Sequence, residues 1–174
     1  MTTNNNTNTL NSKEIRNLAN KFKLTKSRIS DFLSTAWYGN DVFAYKLPEE
    51  SKKLITITPD DCIEDNAAAI LKKLGVVQVV DFENQFSKAE RCEVYGKVVT
   101  SSIKEFSGGY APVYDLTLKR MVQAVQEIQN MDENDERNYL KRNYRNLFIE
   151  DCGGDFCDAY CLLQFFIFGE VVYG

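Results

Sequence analysis

The chain has 174 residues, with 21 Lys+Arg against 25 Asp+Glu, five cysteines and no histidine. That length suits one ordinary domain with at most a small appendage, and 44% hydrophobic with 26% charged residues excludes a disordered, collagen-like or disulfide-dense chain. Without histidine, Ser-His-Asp and Cys-His nucleophile pairs, two-histidine zinc or iron sites and a histidine pH switch are all excluded.

Residues 1–11 are Asn/Thr-rich and uncharged, with no basic start before an apolar stretch. They read as a disordered tail and not as a secretory or transit signal. An odd number of cysteines without an export signal is expected to mean reduced thiols, and hence a cytoplasmic protein. No stretch approaches the roughly 18 apolar residues that span a bilayer, so no membrane partner is expected. The nearest, Cys161 to Phe168, is interrupted by Gln164.

Residues 12–40 form a basic head. Between residues 10 and 36 there are six basic and two acidic side chains, a net of +4, which leaves −8 for the remainder. Asn11 can cap a helix with Glu14 as capping-box partner, and Ile15, Leu18, Ala19 and Phe22 repeat as one apolar stripe. Thr25 can cap a second helix, striped by Ile29, Phe32, Leu33 and Ala36 and ending near Tyr38-Gly39-Asn40.

Residues 41–174 form an acidic body. Val42 to Leu47 suits a strand, Pro48-Glu49-Glu50 a polar turn, and Leu54 to Thr58 a second strand. Thr58-Pro59-Asp60-Asp61 carries a capping hydroxyl, a proline and two carboxylates, which predicts a helix start. Ile63, Ala67, Ile70, Leu71 and Leu74 mark its buried side, with Gly75 as the stop. Val76 to Phe82 is β-branched and suits a buried strand, and Glu93 to Ser102 another. After the turn signals Gly108-Gly109 and Pro112, Asp115 can cap a helix striped by Leu118, Met121, Val122, Val125 and Ile128. The charged turn 132–136 leads into a further helix reaching about Phe148. Strands followed by a helical pair predict an α+β fold: a helical hairpin, then a short, mostly antiparallel sheet covered by helices. Phe165, Phe166, Ile167 and Phe168 cannot all face water, so the last stretch belongs to the core or to a subunit contact, which would make a homodimer.

Leu18-Ala19, Phe22, Leu24-Thr25, Ser27, Ile29-Ser30 and Leu33 resemble the helix-turn-helix of bacterial and phage DNA-binding regulators. The resemblance implies that Lys26, Ser27, Arg28 and Asp31 lie toward the major groove, with Arg28 on a guanine and Lys21 and Lys23 near phosphates. Lys23 stands where that family usually has glycine, so a left-handed backbone costing about 1 kcal/mol is expected there. The bland counterpart is a basic hairpin docked on the acidic body or on a protein partner.

Three further groups invite a chemical reading. Arg137, Lys141 and Arg145, spaced i, i+4, i+8 with Tyr139 and Tyr144 between them, could bind an anionic partner. They equally suit a solvated face on which Glu133 pairs with Arg137 and the cations follow the acidic helix start. Cys152, Cys157 and Cys161, with Asp151, Asp155 and Asp158, could hold a metal if Cys62 or Cys92 joined them. Their spacing matches no zinc ribbon or knuckle, so buried inert thiols are expected. Gly108-Gly109-Tyr110 and Gly153-Gly154 are tight-turn signals with no phosphate-loop or dinucleotide fingerprint around them.

No constellation fits the roles an active site needs, and no cofactor is called for. The expectation is a small non-enzymatic regulatory protein that binds a protein partner, one concrete form being a phage or mobile-element inhibitor of host defence machinery. A helix-turn-helix transcriptional regulator that binds DNA through its head, and a structural component of a virion, are the alternatives. In the first reading Arg137, Lys141, Arg145, Phe165, Phe166 and Phe168 are the candidate contacts.

Overall fold

The computed structural model describes residues 10–38, 42–83, 93–94, 97–98, 103–106, 109–150 and 154–173. The tail to residue 9, Gly39-Asn40, Gly108, Gly153, Cys92, Asp151 and Cys152 lie outside the described residues. The fold is α+β. A sheet of order β1-β2-β6-β5, antiparallel throughout, is built from Phe43–Lys46 (β1), Val76–Asp81 (β2), Ile103–Phe106 (β5) and Gly109–Thr117 (β6). Glu93–Val94 (β3) and Lys97–Val98 (β4) pair with each other, so among the described residues of the strand expected over Glu93 to Ser102 there are two short strands; the rest of that stretch lies outside the described residues.

The head is a helical hairpin of Ser12–Lys21 (α1) and Lys26–Trp37 (α2). Its caps form as the sequence predicts: Asn11 and Glu14 make the reciprocal capping box, and Thr25 accepts from the Arg28 amide. Between the helices Lys23 adopts φ 55°, and the Leu24 and Lys23 amides close onto the Ala19 and Asn20 carbonyls. This is the Schellman closure that glycine usually serves, and a lysine pays for its Cβ there. Lys23→Gly should therefore stabilise the fold by about 1 kcal/mol, read as a melting temperature raised by roughly 2–4 °C.

Five further helices and a short 3-10 turn accompany the sheet among the described residues. Glu49–Lys52 (α3) and Ile63–Lys72 (α4) precede β2, Leu118–Asn130 (α5) follows β6, and a 3-10 turn at Glu136–Asn138 leads into Tyr139–Phe148 (α6). Phe156–Phe168 (α7) closes the set. Helix α2 lies at the middle, packed on α4 and α7, while α1 rests on α5. Phe32 is wholly buried, its ring 5.3 Å from Phe148 and 5.4 Å from Phe166. The inner sheet face contributes Phe43, Tyr45, Val77, Val79 and Leu116 to the same core. Helix α7 carries apolar residues on every side, as suits a helix largely enclosed by protein.

Polar ties fix the hairpin onto the body. The Tyr144 hydroxyl donates to the Phe22 carbonyl at 2.7 Å, the Tyr45 hydroxyl to that of Leu33 at 2.9 Å, and Lys72 Nζ to that of Leu24 at 3.0 Å. Ser30 Oγ donates to Asp65 Oδ1 at 2.7 Å. That bond, with help from the Cys62 thiol, holds the Asp65 carboxyl below the usual carboxylate range. A value lower folded than unfolded gives stability that is complete above the unfolded value and vanishes as pH falls through the folded one. Ser30→Ala should accordingly destabilise at neutral pH. The gap from the wild type should shrink below about pH 4, in step with an NMR titration of Asp65.

Several expectations are corrected. Leu54 to Thr58 is not a strand: only Ile55 is even partly buried, so the run has no face to hide. Pro48-Glu49-Glu50 opens α3 instead of turning the chain. Thr58-Pro59-Asp60-Asp61 closes a turn through the Asp61 amide on the Thr58 carbonyl, and α4 begins later with Cys62 as its cap. Proline at the second position serves a β-turn as well as a helix start, and the turn wins here. Ile63 is consequently exposed and not part of the buried stripe. The left-handed residue ending α4 is Leu74, at φ 64°, and not Gly75. Gly75 is instead the point of close approach, where a Cβ would come within 2.6 Å of Leu54 Cδ1 and 2.7 Å of Ile70 Cγ2. Asp115 is a strand residue bonded to Gln78 across β2–β6, and Thr117 caps α5 in its place.

Candidate functional site

Helix α1 presents Leu18 and Lys21 beside its C-cap residue Phe22, and α5 presents Gln126, Gln129 and Asn130 opposite. Helix α6 runs along the third side with Lys141, Arg142, Tyr144 and Arg145, bounded by Asn138 and Ile149. Together they enclose a groove of about 840 Å³. Four of its lining side chains are cationic and none is a carboxylate. One cation comes from the basic head and three from a helix more than a hundred residues later, so the groove unites the two basic stretches of the sequence.

The floor is built by the bond from the Tyr144 hydroxyl to the Phe22 carbonyl, which ties α6 to the end of α1. Burial pushes that hydroxyl up to about 12, so it stays a neutral donor. Lys21 Nζ stands 5.8 Å from the centre of the Phe22 ring. Lys141 Nζ donates to the Met131 carbonyl at the end of α5, at 2.8 Å, which holds its charge at the rim. Arg145 Nε lies 3.5 Å from Glu150 Oε1, with both groups open to water, where such a pair is worth little.

Arg137 does not join this row. It sits in the 3-10 turn before α6, with Nη2 2.8 Å from Asp135 Oδ2 and Nη1 3.4 Å from Glu127. The expected Glu133 partner is replaced by Asp135, which caps the turn and whose carboxyl the Arg137 hydrogen bonds hold low. Because α6 begins only at Tyr139, the i, i+4, i+8 spacing spans a turn and a helix, and it is Arg142 that joins Lys141 and Arg145 on the groove. Arg142 and the amide wall of α5 were hidden in the sequence, since only the pairing of α5 with α1 and α6 sets them side by side.

The head residues assigned to DNA by the helix-turn-helix resemblance are divided. Lys21 enters the groove, and Lys23 is exposed at the interhelical turn. Lys26, Ser27 and Asp31 are exposed on α2 while Arg28 is half-buried. Arg28 and Asp31, with Ser27 and Thr35, line a smaller recess of about 280 Å³ against Leu147 and Glu150. That recess holds two carboxylates to one guanidinium, and Ser27 Oγ donates to Asp31 Oδ2 at 3.4 Å. Helix α2 thus borders a recess at this face, with Ser27 and Asp31 still exposed.

Phe165, Phe166 and Phe168 are buried in the core and offer no contact surface; Phe168 meets Tyr114 edge-on at 5.0 Å. Of the two places open to this apolar run, core or subunit contact, burial against α2 and the sheet decides for the core. Cys157 and Cys161 lie one turn apart on α7, the first exposed and the second half-buried, so the expectation of buried thiols fails for Cys157. Burial pushes the Cys161 thiol up, aided by Cys157, Asp158 and Asp155, the opposite of an activated nucleophile. Among the described residues no cluster of three Cys, Asp or Glu is placed to hold a metal, and no helix is long and apolar enough to cross a membrane.

Compared with protein-family models, with curated proteins and with solved structures, the chain matches none.

Proposed function

We propose that this chain is a small non-enzymatic regulatory protein that works by binding a protein partner, and that the groove between α1, α5 and α6 is its contact. The observation that carries this reading is the charge of the lining, four cations with Glu150 at Arg145 lying outside it, over a floor that includes Leu18, Phe22 and Ile149. Isolated surface cations are usually balanced nearby, as Arg137 is by Asp135 and Glu127. A concave surface that keeps one sign of charge concentrates partners of the other.

The test is a photo-crosslinking side chain at Gln129, on the groove wall, in cells that express the protein at its native level. A protease-sensitive adduct that disappears in the Lys21→Glu, Arg142→Glu double variant is the expected result. A nuclease-sensitive adduct, or none, overturns the reading.

A second reading, DNA binding through α2, draws on the exposure of Lys26 and Ser27 and on the body helices packed behind the hairpin. It requires a salt-sensitive complex with duplex DNA that is abolished by Lys26→Ala together with Arg28→Ala and unaffected by the groove variant.

A further inference from the structure

Resting on the protein-binding reading, we infer that the groove receives an acidic amphipathic peptide segment of the partner, carboxylates on its cationic rim and an apolar side chain on its floor. Two features of the lining select this chemistry over other anions.

The first is shape. The groove is a recess between helices, and its wall along α6 from Asn138 to Ile149 is roughly 16 Å long at the helical rise. That suits a helix of about three turns or a shorter extended stretch, whereas a duplex about 20 Å wide needs a convex or flat basic face. The second is the floor. Single strands are held by stacking bases on open aromatic faces, but Tyr144 and Phe22 are buried and offer none. What the floor does offer is aliphatic: Leu18 is half-buried and Ile149 is 44% exposed.

The cations divide the work. Lys21 and Arg142 are exposed, on two different helices, with no ion pair among the described residues, so they can meet carboxylates. Arg142 brings the planar fork that pairs a carboxylate in two places. Lys141 is already anchored on the Met131 carbonyl and serves as a fixed charge.

The experiment is fluorescence anisotropy with the full chain and four labelled probes. The first is a peptide of about 14 residues with Glu and Leu at helical spacing. The second replaces every Glu by Gln, the third every Leu by Ser, and the fourth is a mixed-sequence duplex of about 20 base pairs. The Glu/Leu peptide should bind, weaken as salt rises from about 50 to 200 mM, and exceed both altered peptides by roughly tenfold. Lys21→Glu with Arg142→Glu should cost it roughly tenfold or more, and Ile149→Ala a smaller factor, with circular dichroism and melting unchanged. Equal binding of the Gln peptide, retention in the double variant, or a groove-dependent preference for the duplex would each overturn the inference. A dimer of the protein alone that the double variant dissolves would also overturn it, since the occupant would then be a second copy. If the Gln129 crosslink yields a protein adduct while no peptide binds, the partner chemistry is wrong and the binding reading stands. If the crosslink yields none, the reading itself has failed.

Discussion

Phe32→Ala is expected to cost about 3–5 kcal/mol, a large share of a whole stability of order 5–15 kcal/mol. The ring is wholly buried and touches Phe148 of α6 and Phe166 of α7 within 5.3 and 5.4 Å. Its loss opens a cavity where three helices meet, and the neighbouring rings cannot close it without leaving their own contacts. Chemical denaturation of the variant is the direct measure. Asp31→Ala, one residue away on the exposed side, should stay within about 0.5 kcal/mol. Similar costs at the two positions would mean that α2 is not packed as described.

The second large effect is expected at Gln164. This side chain is fully buried in α7, and its Oε1 accepts from the Val172 and Tyr173 amides at 2.8 and 2.6 Å. Its Nε2 donates to the Tyr173 carbonyl at 3.1 Å. One side chain therefore does for the residues after Gly169 what a neighbouring strand would do. The fold-back places the Tyr173 hydroxyl on the buried Asp81 carboxylate, at 2.9 and 3.2 Å. Gln164→Leu keeps much of the volume but strands three backbone groups and loosens the seat of Tyr173, at a cost of about 2–4 kcal/mol. The accompanying sign should be faster cleavage after Glu170 by a glutamate-specific protease. Tyr173→Phe, which removes the bond to Asp81 and leaves the Gln164 contacts in place, should cost less, about 1–3 kcal/mol.

Much of the helical layer was legible because its signals are local. Asn11, Glu14 and Thr25 cap where the sequence places them, and all five stripe residues of α5 are buried. Strand β6 was not legible, because Gly109 and Pro112 look like a loop. The β2 pairing stops at Val113, one residue short of Pro112, so the proline, which has no N–H to give, is tolerated in the ladder. Helix α7 was missed for a different reason: with apolar residues on every side it has no period to read. The basic groove was half visible. Lys21, Lys141 and Arg145 stood out as cations, but nothing local to residues 12–21 or 139–148 says that those helices become neighbours. That depends on the Tyr144–Phe22 bond, 122 residues apart in the chain.

The hairpin's burial also limits how this chain can vary. In a free-standing recognition unit most positions outside a small core are open to change, and new specificities arise by exchanging the outward residues. Here Ile29, Ser30, Phe32, Leu33 and Ala36 of α2 are all buried, spread over more than half of the helix. Lys26, Ser27, Asp31 and Trp37 are left open to drift. Such a helix cannot be transplanted or swapped as a module. Over generations it should keep its apolar half nearly fixed while α6, whose outward residues answer to fewer neighbours, is the easier place for the surface to acquire a new charge pattern.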